Sequence, residues 1–444
     1  MLFRQFVDDD LGCASYLIGD ESSGEAVVVD PAYAVEQYLA AAEEEGVRIV
    51  RVLETHTHAD HVSGHGRLAL EHGVPVSIHP AAEPDYDFEP VEDGDEIAVG
   101  AVSIRVVHTP GHRPEHCAFV VSDRGRADEP WLTLTGDSLF VGDAARPDLA
   151  VEAVEGAHEL YKSLQKLLEL PDGVEIHPGH VAGSLCGTGM SSKPSSTIGF
   201  ERRFNRALAH HDEDSFVAES IRAGVRPPNM DRIVELNRGP FVGAAEPLRP
   251  LNGGAGAVLD VRPADDFAAG HAKGALSVPV DGGGFATKAA FVLPPDERVV
   301  IHAATGEQAE RAARGLRSVG IFELAGYVLG PPAQEESRTV GIDELDRLLE
   351  AGEVEVLDVR EPHERDEGYI PRSRNIPYRL VREWADDLQG GKPVITICNT
   401  GARAGVAASV LAAAGIDARP VLHGGIQDWA ERGGETVSFR RCGA

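Results

Sequence analysis

The second half of the chain contains an internal repeat, which restricts its possible folds more than any other feature does. The segment 257–279, AVLDVRPADDFAAGHAKGALSVP, matches the segment 355–377, EVLDVREPHERDEGYIPRSRNIP. Three pairs of identical residues keep an offset of 98 positions: Asp260 and Asp358, Arg262 and Arg360, Pro279 and Pro377. Each copy continues with an apolar run, a glycine-containing loop and an alanine-rich helical pattern, typical of α/β units with a parallel sheet. We therefore predict two α/β domains of one kind, at 257–335 and 336–444.

The first half of the chain combines strand patterns with helical patterns. Short apolar runs of β character occur at 26–30, 48–54, 102–107 and 131–135, and helical periodicity occurs near 34–45 and 153–169. This mixture predicts a domain of both α and β structure over residues 1–225. Clusters of proline and glycine interrupt both periodicities over 226–256, which we interpret as a linker. With 444 residues, about three domains are expected.

Charge and cysteine content exclude several classes of function. The chain carries 72 acidic against 41 basic residues, so its surface would repel nucleic acid and anionic membranes. Its first residues, MLFRQFVDDDLG, lack the cationic and apolar stretches of a signal peptide, and we expect a cytoplasmic protein. The five cysteines are scattered without a C-x-x-C pair, so no disulfide framework and no cysteine zinc site is indicated. We expect Cys13 and Cys117 to pack in the core.

The strongest chemical signal is the motif THTHADH at 55–61, directly after a predicted strand. It places four potential metal ligands close together: His56, His58, Asp60 and His61. In extended chain, residues two apart face the same side, so His56 and His58 can converge on one point. The turn that follows can bring Asp60 and His61 to a neighbouring point.

Three more candidate ligands each follow an apolar run. They are His112 in HTPGH, Asp137 in TGD and His180 in HPGH. Loops at the ends of strands can gather at one edge of a sheet, so these residues can join the motif in a single site. Imidazole and carboxylate together suit zinc or non-haem iron, and the spacing does not choose between the two metals.

The H-x-H-x-D-H motif, followed by His, Asp and His, resembles the metallo-β-lactamase family. That resemblance implies an αββα sandwich over 1–225 with its site on one edge. The opening LFRQFVDDDLGCASYLIGD and the segments 136–149 and 177–201 are most similar to the persulfide dioxygenases of this superfamily.

The resemblance to persulfide dioxygenases implies a role for each residue of the site. One Fe(II) per chain would be bound by His56, His112 and Asp137. The other four residues would surround these ligands or form a vacant second metal site: His58, Asp60, His61 and His180. Two histidines and one carboxylate leave positions of Fe(II) open for a substrate sulfur and dioxygen. Zinc at the same residues would instead activate a water for hydrolysis.

Three further residues are candidates for substrate binding. Arg146 and Asp148 follow Asp137 closely in the chain, and we interpret them either as groups that orient the substrate or as a surface ion pair. Cys186 lies in the loop SLCGTGM, where fusion-type relatives suggest that it carries sulfur near the iron. A buried, inert thiol is the alternative for Cys186.

A second chemical signal lies in the last repeat, where the run ITIC leads through the loop NTGAR into a helix. The backbone N–H groups of such a loop and the positive end of the helix stabilise a negatively charged sulfur on Cys398. Arg403 adds a positive charge, so we predict Cys398 and Arg403 as catalytic residues. The residues between them would cradle a persulfide: Asn399, Thr400, Gly401 and Ala402.

The segment 336–444 resembles the rhodanese family in DVREPHE, in the Cys398 loop and in HGGIQDW. Four residues separate Cys398 from Arg403, whereas the related phosphatases use five, so this spacing fits sulfur transfer.

The first repeat departs from this pattern. Aligning Gly306 with Gly401 places Ala303 at the position of the cysteine and Gln308 at that of the arginine. The domain at 257–335 is therefore expected to be rhodanese-like without transferase activity.

Together, these resemblances imply an α/β multidomain enzyme of sulfur metabolism. It would oxidise a small-molecule persulfide with O2 to sulfite and transfer sulfur through Cys398, which forms or uses thiosulfate. Two alternatives stay open: a glyoxalase II-like zinc thiolester hydrolase fused to a sulfurtransferase, and a persulfide-binding sensor. The sequence identifies neither the thiol carrier nor the direction of transfer, and it leaves a homo-oligomer open.

Overall fold

The structure is a computed structural model, which describes residues 1–148, 152–181, 190–210, 212–221, 226–253, 256–293, 296–330, 334–389 and 391–439. The chain divides into two compact units. The first comprises Met1–Ala245 with Arg317–Gly320, and the second comprises Glu246–Leu316 with Ile321–Ala444. None of the helices in the described residues is long and apolar enough to cross a membrane.

Two six-stranded sheets form the centre of the first unit. In spatial order, the first sheet contains β1 (Leu2–Val7), β2 (Ala14–Asp20), β3 (Glu25–Val29), β4 (Arg48–Leu53), β5 (Val76–Ile78) and β6 (Glu89–Pro90). The second contains β7 (Glu96–Val99), β8 (Val102–His108), β9 (Cys117–Asp123) and β10 (Leu132–Gly136), followed by β13 (Glu175–Pro178) and β14 (Ser196–Thr197). Between β10 and β13 the chain forms a short hairpin of β11 (Leu139–Phe140) and β12 (Asp143–Ala144).

Helices pack on the outer faces of these sheets. They are α1 (Glu36–Glu44) and α2 (His65–His72) on the first sheet, and α3 (Ala153–Leu167), α4 (Ile198–Phe204) and α5 (Glu213–Ser220) on the second. Helix α6 (Met230–Arg238) packs on the loop that follows β4. Strand alternation builds the layers, since Tyr16 and Ile18 of β2 join Phe119 in the core between the sheets, whereas Leu17 packs with Tyr38 of α1. The predicted αββα sandwich is confirmed.

One helix of the first unit lies where the sequence predicted a linker. Helix α6 (Met230–Arg238) falls inside 226–256 and buries Met230 and Ile233. The prolines and glycines around it interrupt the helical pattern, so this short apolar stripe was hidden in the sequence.

The second unit contains two four-stranded sheets in which all neighbouring strands are parallel. The first repeat consists of β15 (Ala257–Asp260), α7 (Ala264–Ala269), β16 (Leu276–Ser277), α8 (Phe285–Val292), β17 (Val299–Ala303), α9 (Gly306–Ser318) and β18 (Leu324–Leu329). The second consists of α10 (Ile342–Glu350), β19 (Glu355–Asp358), α11 (Pro362–Glu367), β20 (Arg374–Asn375), β21 (Val394–Ile397), α12 (Ala402–Ala413), β22 (Ala418–Pro420) and α13 (Ile426–Glu431). The two α/β domains predicted from the repeat are confirmed.

Candidate metal centre and cysteine loop

Three of the predicted metal ligands come together at the ends of strands in the first unit. His56 follows β4, His112 follows β8 and Asp137 follows β10. Each offers one ligand atom, and these atoms lie within 4.8 Å of one another among fully buried residues. The Nε2 atom of His112 lies 3.6 Å from Oδ2 of Asp137. The loops therefore gather at one edge of the sandwich, as the sequence suggested.

Hydrogen bonds orient the three side chains. Nδ1 of His112 lies 3.0 Å from the carbonyl oxygen of Arg146, and Nδ1 of His56 lies 2.9 Å from the hydroxyl of Thr55. Thr55 in turn donates its hydroxyl to Asp30 at 2.8 Å. These contacts leave Nε2 of each ring for a metal, in the way that ligating histidines are usually fixed.

The donor set fits a metal ion. Asp137 Oδ2 is buried and has no hydrogen-bond partner among the described residues, which is costly without a cation. Burial and neighbouring positive charge lower the pKa of His56, and burial lowers the pKa of His112. Burial opposes ionisation of Asp137, but His180 and His112 outweigh it and lower its pKa to about 2. Neutral imidazole and ionised carboxylate are the forms that bind metals.

A second group of polar side chains contacts Asp137 through His180. His180 lies between two carboxylates, with Nδ1 2.8 Å from Asp137 Oδ1 and Nε2 2.6 Å from Asp60 Oδ2. Nδ1 of His61 lies 3.2 Å from Oδ1 of Asp60. This chain of contacts is the arrangement expected of residues that orient a metal-binding carboxylate.

Cys13 is buried, as expected, and its sulfur also contacts this second group. Its sulfur lies 3.3 Å from Asp60 Oδ2, 3.5 Å from His61 Nδ1 and 3.4 Å from His180 Nε2. An antiparallel bridge between Cys13 and His180 brings together residues that are far apart in sequence. Burial raises the pKa of the Cys13 thiol. Cys117, by contrast, packs between the sheets as expected.

The side chains of His56 and His58 come together as expected, with their ring centroids 4.3 Å apart. Nε2 of His58, however, lies 3.3 Å from Asp30 Oδ1 and 3.2 Å from Glu54 Oε2, in a second buried group of potential ligands. Strand β4 ends at Leu53, so the motif is loop rather than strand, and the two-residue alternation of a strand does not apply there.

The sequence also missed residues that hold the motif in place. Asn237 of α6 donates its amide to the carbonyl oxygens of His58 at 2.9 Å and His61 at 2.8 Å. His116 accepts the backbone N–H of Asp137 at 2.9 Å, and burial lowers its pKa to about 3. The second histidine of HRPEHC was a visible signal, whereas nothing local marked Asn237.

Arg146 and Asp148 form a two-bond ion pair, with both contacts at 2.6 Å. The side chains of Arg146 and Asp148 are 9% and 17% exposed, so this is not an open surface pair. Because the Arg146 carbonyl oxygen also contacts His112, the pair stabilises the loop beside the three predicted ligands. Cys186 lies in 182–189, outside the described residues.

In the second unit, Cys398 lies buried at the end of β21, and α12 begins at Ala402. The backbone N–H of Gly401 points at the Cys398 sulfur from 3.1 Å. Gly401 has a φ of 88°, and a Cβ atom there would lie 1.9 Å from the carbonyl oxygen of Leu422. Only glycine fits this turn, which wraps the loop around the sulfur.

A carboxylate holds the arginine of this loop. Arg403 donates to both oxygens of Glu364, at 2.6 and 2.7 Å, and Asn399 donates to the same carboxylate at 3.1 Å. Burial favours the neutral acid, but Arg403 outweighs it and lowers the pKa of Glu364. Glu364 therefore competes with any anion for the charge of Arg403.

Replacing Glu364 by glutamine is expected to lower the KM for thiosulfate about fivefold, because the charge of Arg403 becomes free for the anionic donor. Steady-state transfer of sulfur from thiosulfate to cyanide measures this change, with kcat little altered. Glu361→Gln is the matched control, since Glu361 accepts two bonds from Arg379 in the same way. An unchanged KM for E364Q, or equal changes in both variants, would contradict this role.

The first repeat lacks these groups at the corresponding positions. Asp260 pairs with His302 across β15 and β17, whereas Asp358 pairs with Ile397 across β19 and β21, so Ala303 occupies the position of Cys398. Gln308 occupies the position of Arg403, where it accepts from Ala304 N at 2.8 Å and donates to Asp281 at 3.2 Å. This loop has neither a nucleophile nor a cation at those positions.

Comparisons with known proteins agree with this division of the chain. Residues 8–180 match the model of the metallo-beta-lactamase superfamily, and residues 244–330 and 341–432 match that of the rhodanese-like domain. The chain is 33% identical over 241 residues to the mitochondrial persulfide dioxygenase of Bos taurus, covering 53% of this chain and 87% of that protein. It is 30% identical over 254 residues to a probable metallo-hydrolase of Burkholderia pseudomallei, covering 49% and 84%.

A solved structure extends the similarity beyond the first unit. The crystal structure of a metallo-beta-lactamase from Staphylococcus aureus covers 74% of this chain and 98% of its own, with 31% identity and a TM-score of 0.68. The chain therefore belongs to the metallo-beta-lactamase superfamily, in the family of the persulfide dioxygenases, and continues into two rhodanese-like domains.

Proposed function

We propose that the first domain oxidises a low-molecular-weight persulfide, such as glutathione persulfide, to sulfite with O2. The balanced reaction is R–S–SH + O2 + H2O → R–SH + SO3²⁻ + 2 H⁺. The observation that carries the proposal is the buried group of His56, His112 and Asp137, whose ligand atoms lie within 4.8 Å of one another. These residues would hold a single Fe(II), which would supply open positions for a sulfur anion and O2.

The protein's own residues prepare the site for this chemistry. His56 and His112 are held neutral by burial, and Asp137 is held ionised by His180, so all three are ready to bind a cation. Asp60 and His180 fix the orientation of Asp137. The burial of the whole group keeps bulk water away from a reactive sulfur species.

We further propose that Cys398 carries sulfane sulfur. The Cys398 thiolate attacks the outer sulfur of thiosulfate, the S–S bond breaks, and sulfite leaves with the electron pair. A persulfide then remains on Cys398, and the reverse reaction with sulfite gives thiosulfate. The N–H of Gly401 and the guanidinium of Arg403 lie where they can stabilise the negative charge on sulfur.

A zinc thiolester hydrolase is the second candidate. Asp60, His61 and His180 form a connected group in contact with Asp137 and can offer a second metal site. Three measurements on the purified full-length protein distinguish the dioxygenase from the hydrolase. They are the metal content, oxygen uptake with glutathione persulfide, and hydrolysis of a glutathione thiolester. We expect iron and oxygen uptake. Bound zinc with thiolester hydrolysis and no oxygen uptake would exclude the dioxygenase. Persulfide binding without turnover would indicate a sensor.

A further inference from the structure

Arg113 is a buried arginine that uses few of its hydrogen-bond donors. Its side chain is 8% exposed, and its Nε atom donates to Oε1 of Glu115 at 2.7 Å. The two terminal amino groups of Arg113 make no hydrogen bond to any residue that the structure describes. A guanidinium donates through all three of its nitrogens, and a buried donor without an acceptor is costly. Most of the donors of this buried cation are therefore left for a group that the described residues do not supply.

Other arginines with little exposure show what burial requires. Arg360 is 5% exposed, and it donates to Asp358 from Nε and Nη2 at 2.9 and 2.7 Å, and to the carbonyl oxygen of Glu364 from Nη1 at 3.2 Å. Arg67 is 12% exposed and likewise donates to acceptors from all three nitrogens. Buried polar groups in proteins are generally satisfied in this way. Arg113 differs from both in its two unused amino groups.

Arg113 lies beside the proposed metal centre. It follows His112 directly in the chain, and Oε1 of Glu115 accepts the backbone N–H of Thr57 at 3.0 Å, next to His56. Burial lowers the pKa of His56 and of His112, and the positive charge of Arg113 adds to both effects. The guanidinium is therefore close enough for its charge to act on the two imidazoles that are proposed to bind the metal.

Two hydroxyl groups near Glu115 also lack partners. Oγ1 of Thr57 and Oη of Tyr86 are buried without a hydrogen-bond partner in the described part of the chain. Burial and two neighbouring carboxylates, one of which is Glu115, raise the pKa of Tyr86. The carbonyl oxygen of Pro114 lies 2.8 Å from Nε2 of the partly exposed His108. The segment that carries Arg113 thus extends from the buried ligands toward the surface, with unused polar groups along it.

We propose that Arg113 binds a carboxylate of the thiol that carries the persulfide, beside the metal centre. This inference rests on the proposed function and assigns its substrate to the acidic low-molecular-weight thiols, of which glutathione is one. Because Glu115 occupies Nε, the two terminal amino groups remain as a planar pair, which matches the two oxygens of a carboxylate. Sulfite, the product of the proposed reaction, has similar oxyanion chemistry, so the test must distinguish it from the carboxylate.

The test is calorimetric binding of S-methylglutathione to the full-length protein, because this probe has the carboxylates of glutathione but no persulfide to react. Arg113→Gln is expected to weaken binding about 30-fold. Arg113→Lys keeps the charge without the planar pair and should recover part of the loss. The dimethyl ester of the probe should bind the parent and R113Q equally. R67Q is the matched control, since Arg67 is a largely buried arginine whose donors are already occupied, and it should bind the probe like the parent.

Equal affinity of the parent and R113Q for S-methylglutathione would overturn the proposal, as would an equal loss with the ester. A weaker affinity of R113Q for sulfite, with unchanged affinity for the probe, would identify the product as the ligand and overturn it too. If R113Q does not fold, R113Q/E115Q replaces it, because the amide oxygen of glutamine can still accept from Thr57 N. Oxygen uptake by the parent protein tests the proposed function separately. Its absence, together with binding that depends on Arg113, would reject persulfide oxidation but not the carboxylate site.

Discussion

Replacing Asp137 by alanine is expected to remove the metal and to lower persulfide-dependent oxygen uptake at least about 1,000-fold. Asp137 supplies the only negative charge of the three-residue group, and two neutral imidazoles bind a divalent cation far more weakly. The loss also leaves His180 without one of its two carboxylate partners. Metal analysis and an oxygen electrode measure the two effects on the same sample.

Asp20→Asn is the matched control for this change. Asp20 is also a buried carboxylate of the first unit, but it lies at the far end of β2 from Cys13 and accepts backbone N–H groups of Ser22 and Ala101. This variant should keep both metal and oxygen uptake. Metal retained at the parental level in D137A would show that the centre has been placed on the wrong residues.

The second large effect is expected for Cys398→Ser, which should reduce sulfur transfer from thiosulfate to cyanide by at least about 1,000-fold. A serine hydroxyl in the same loop cannot form a persulfide, and Arg403 cannot replace the nucleophile. Oxygen uptake with free glutathione persulfide should change little, because His56, His112 and Asp137 are untouched. D137A should show the opposite pattern, with transfer retained and oxygen uptake lost.

Cys117→Ala controls for the removal of a thiol. Cys117 is buried in the core between the sheets, and burial raises its pKa to about 12, so it carries almost no thiolate at neutral pH. Transfer should persist in this variant. Substantial transfer in C398S would mean that another group carries the sulfur.

Much of the fold followed from local patterns. The apolar runs at 26–30, 48–54, 102–107 and 131–135 marked β3, β4, β8 and β10, and the offset of 98 positions between Asp260 and Asp358 marked the repeated α/β unit. Helix α6 was missed because its short apolar stripe lies among prolines and glycines. Its Asn237 contacts His58 and His61 of the THTHADH motif, which lie 179 and 176 positions earlier in the chain, and no local rule predicts such contacts.

The sequence by itself determined which chemical groups the chain possesses. It showed the histidines and aspartates of the first domain and the pair Cys398 and Arg403, and it showed that the first repeat has alanine and glutamine at the positions of that pair. Only the tertiary structure decided how those groups are sorted. It directed Nε2 of His58 to Asp30 and Glu54, placed Cys13 beside Asp60, and paired Glu364 with Arg403. Ligand chemistry depends on residue type, which the sequence states directly. The partners of a buried charge depend on which distant segments are packed around it, and that is fixed only when the chain folds.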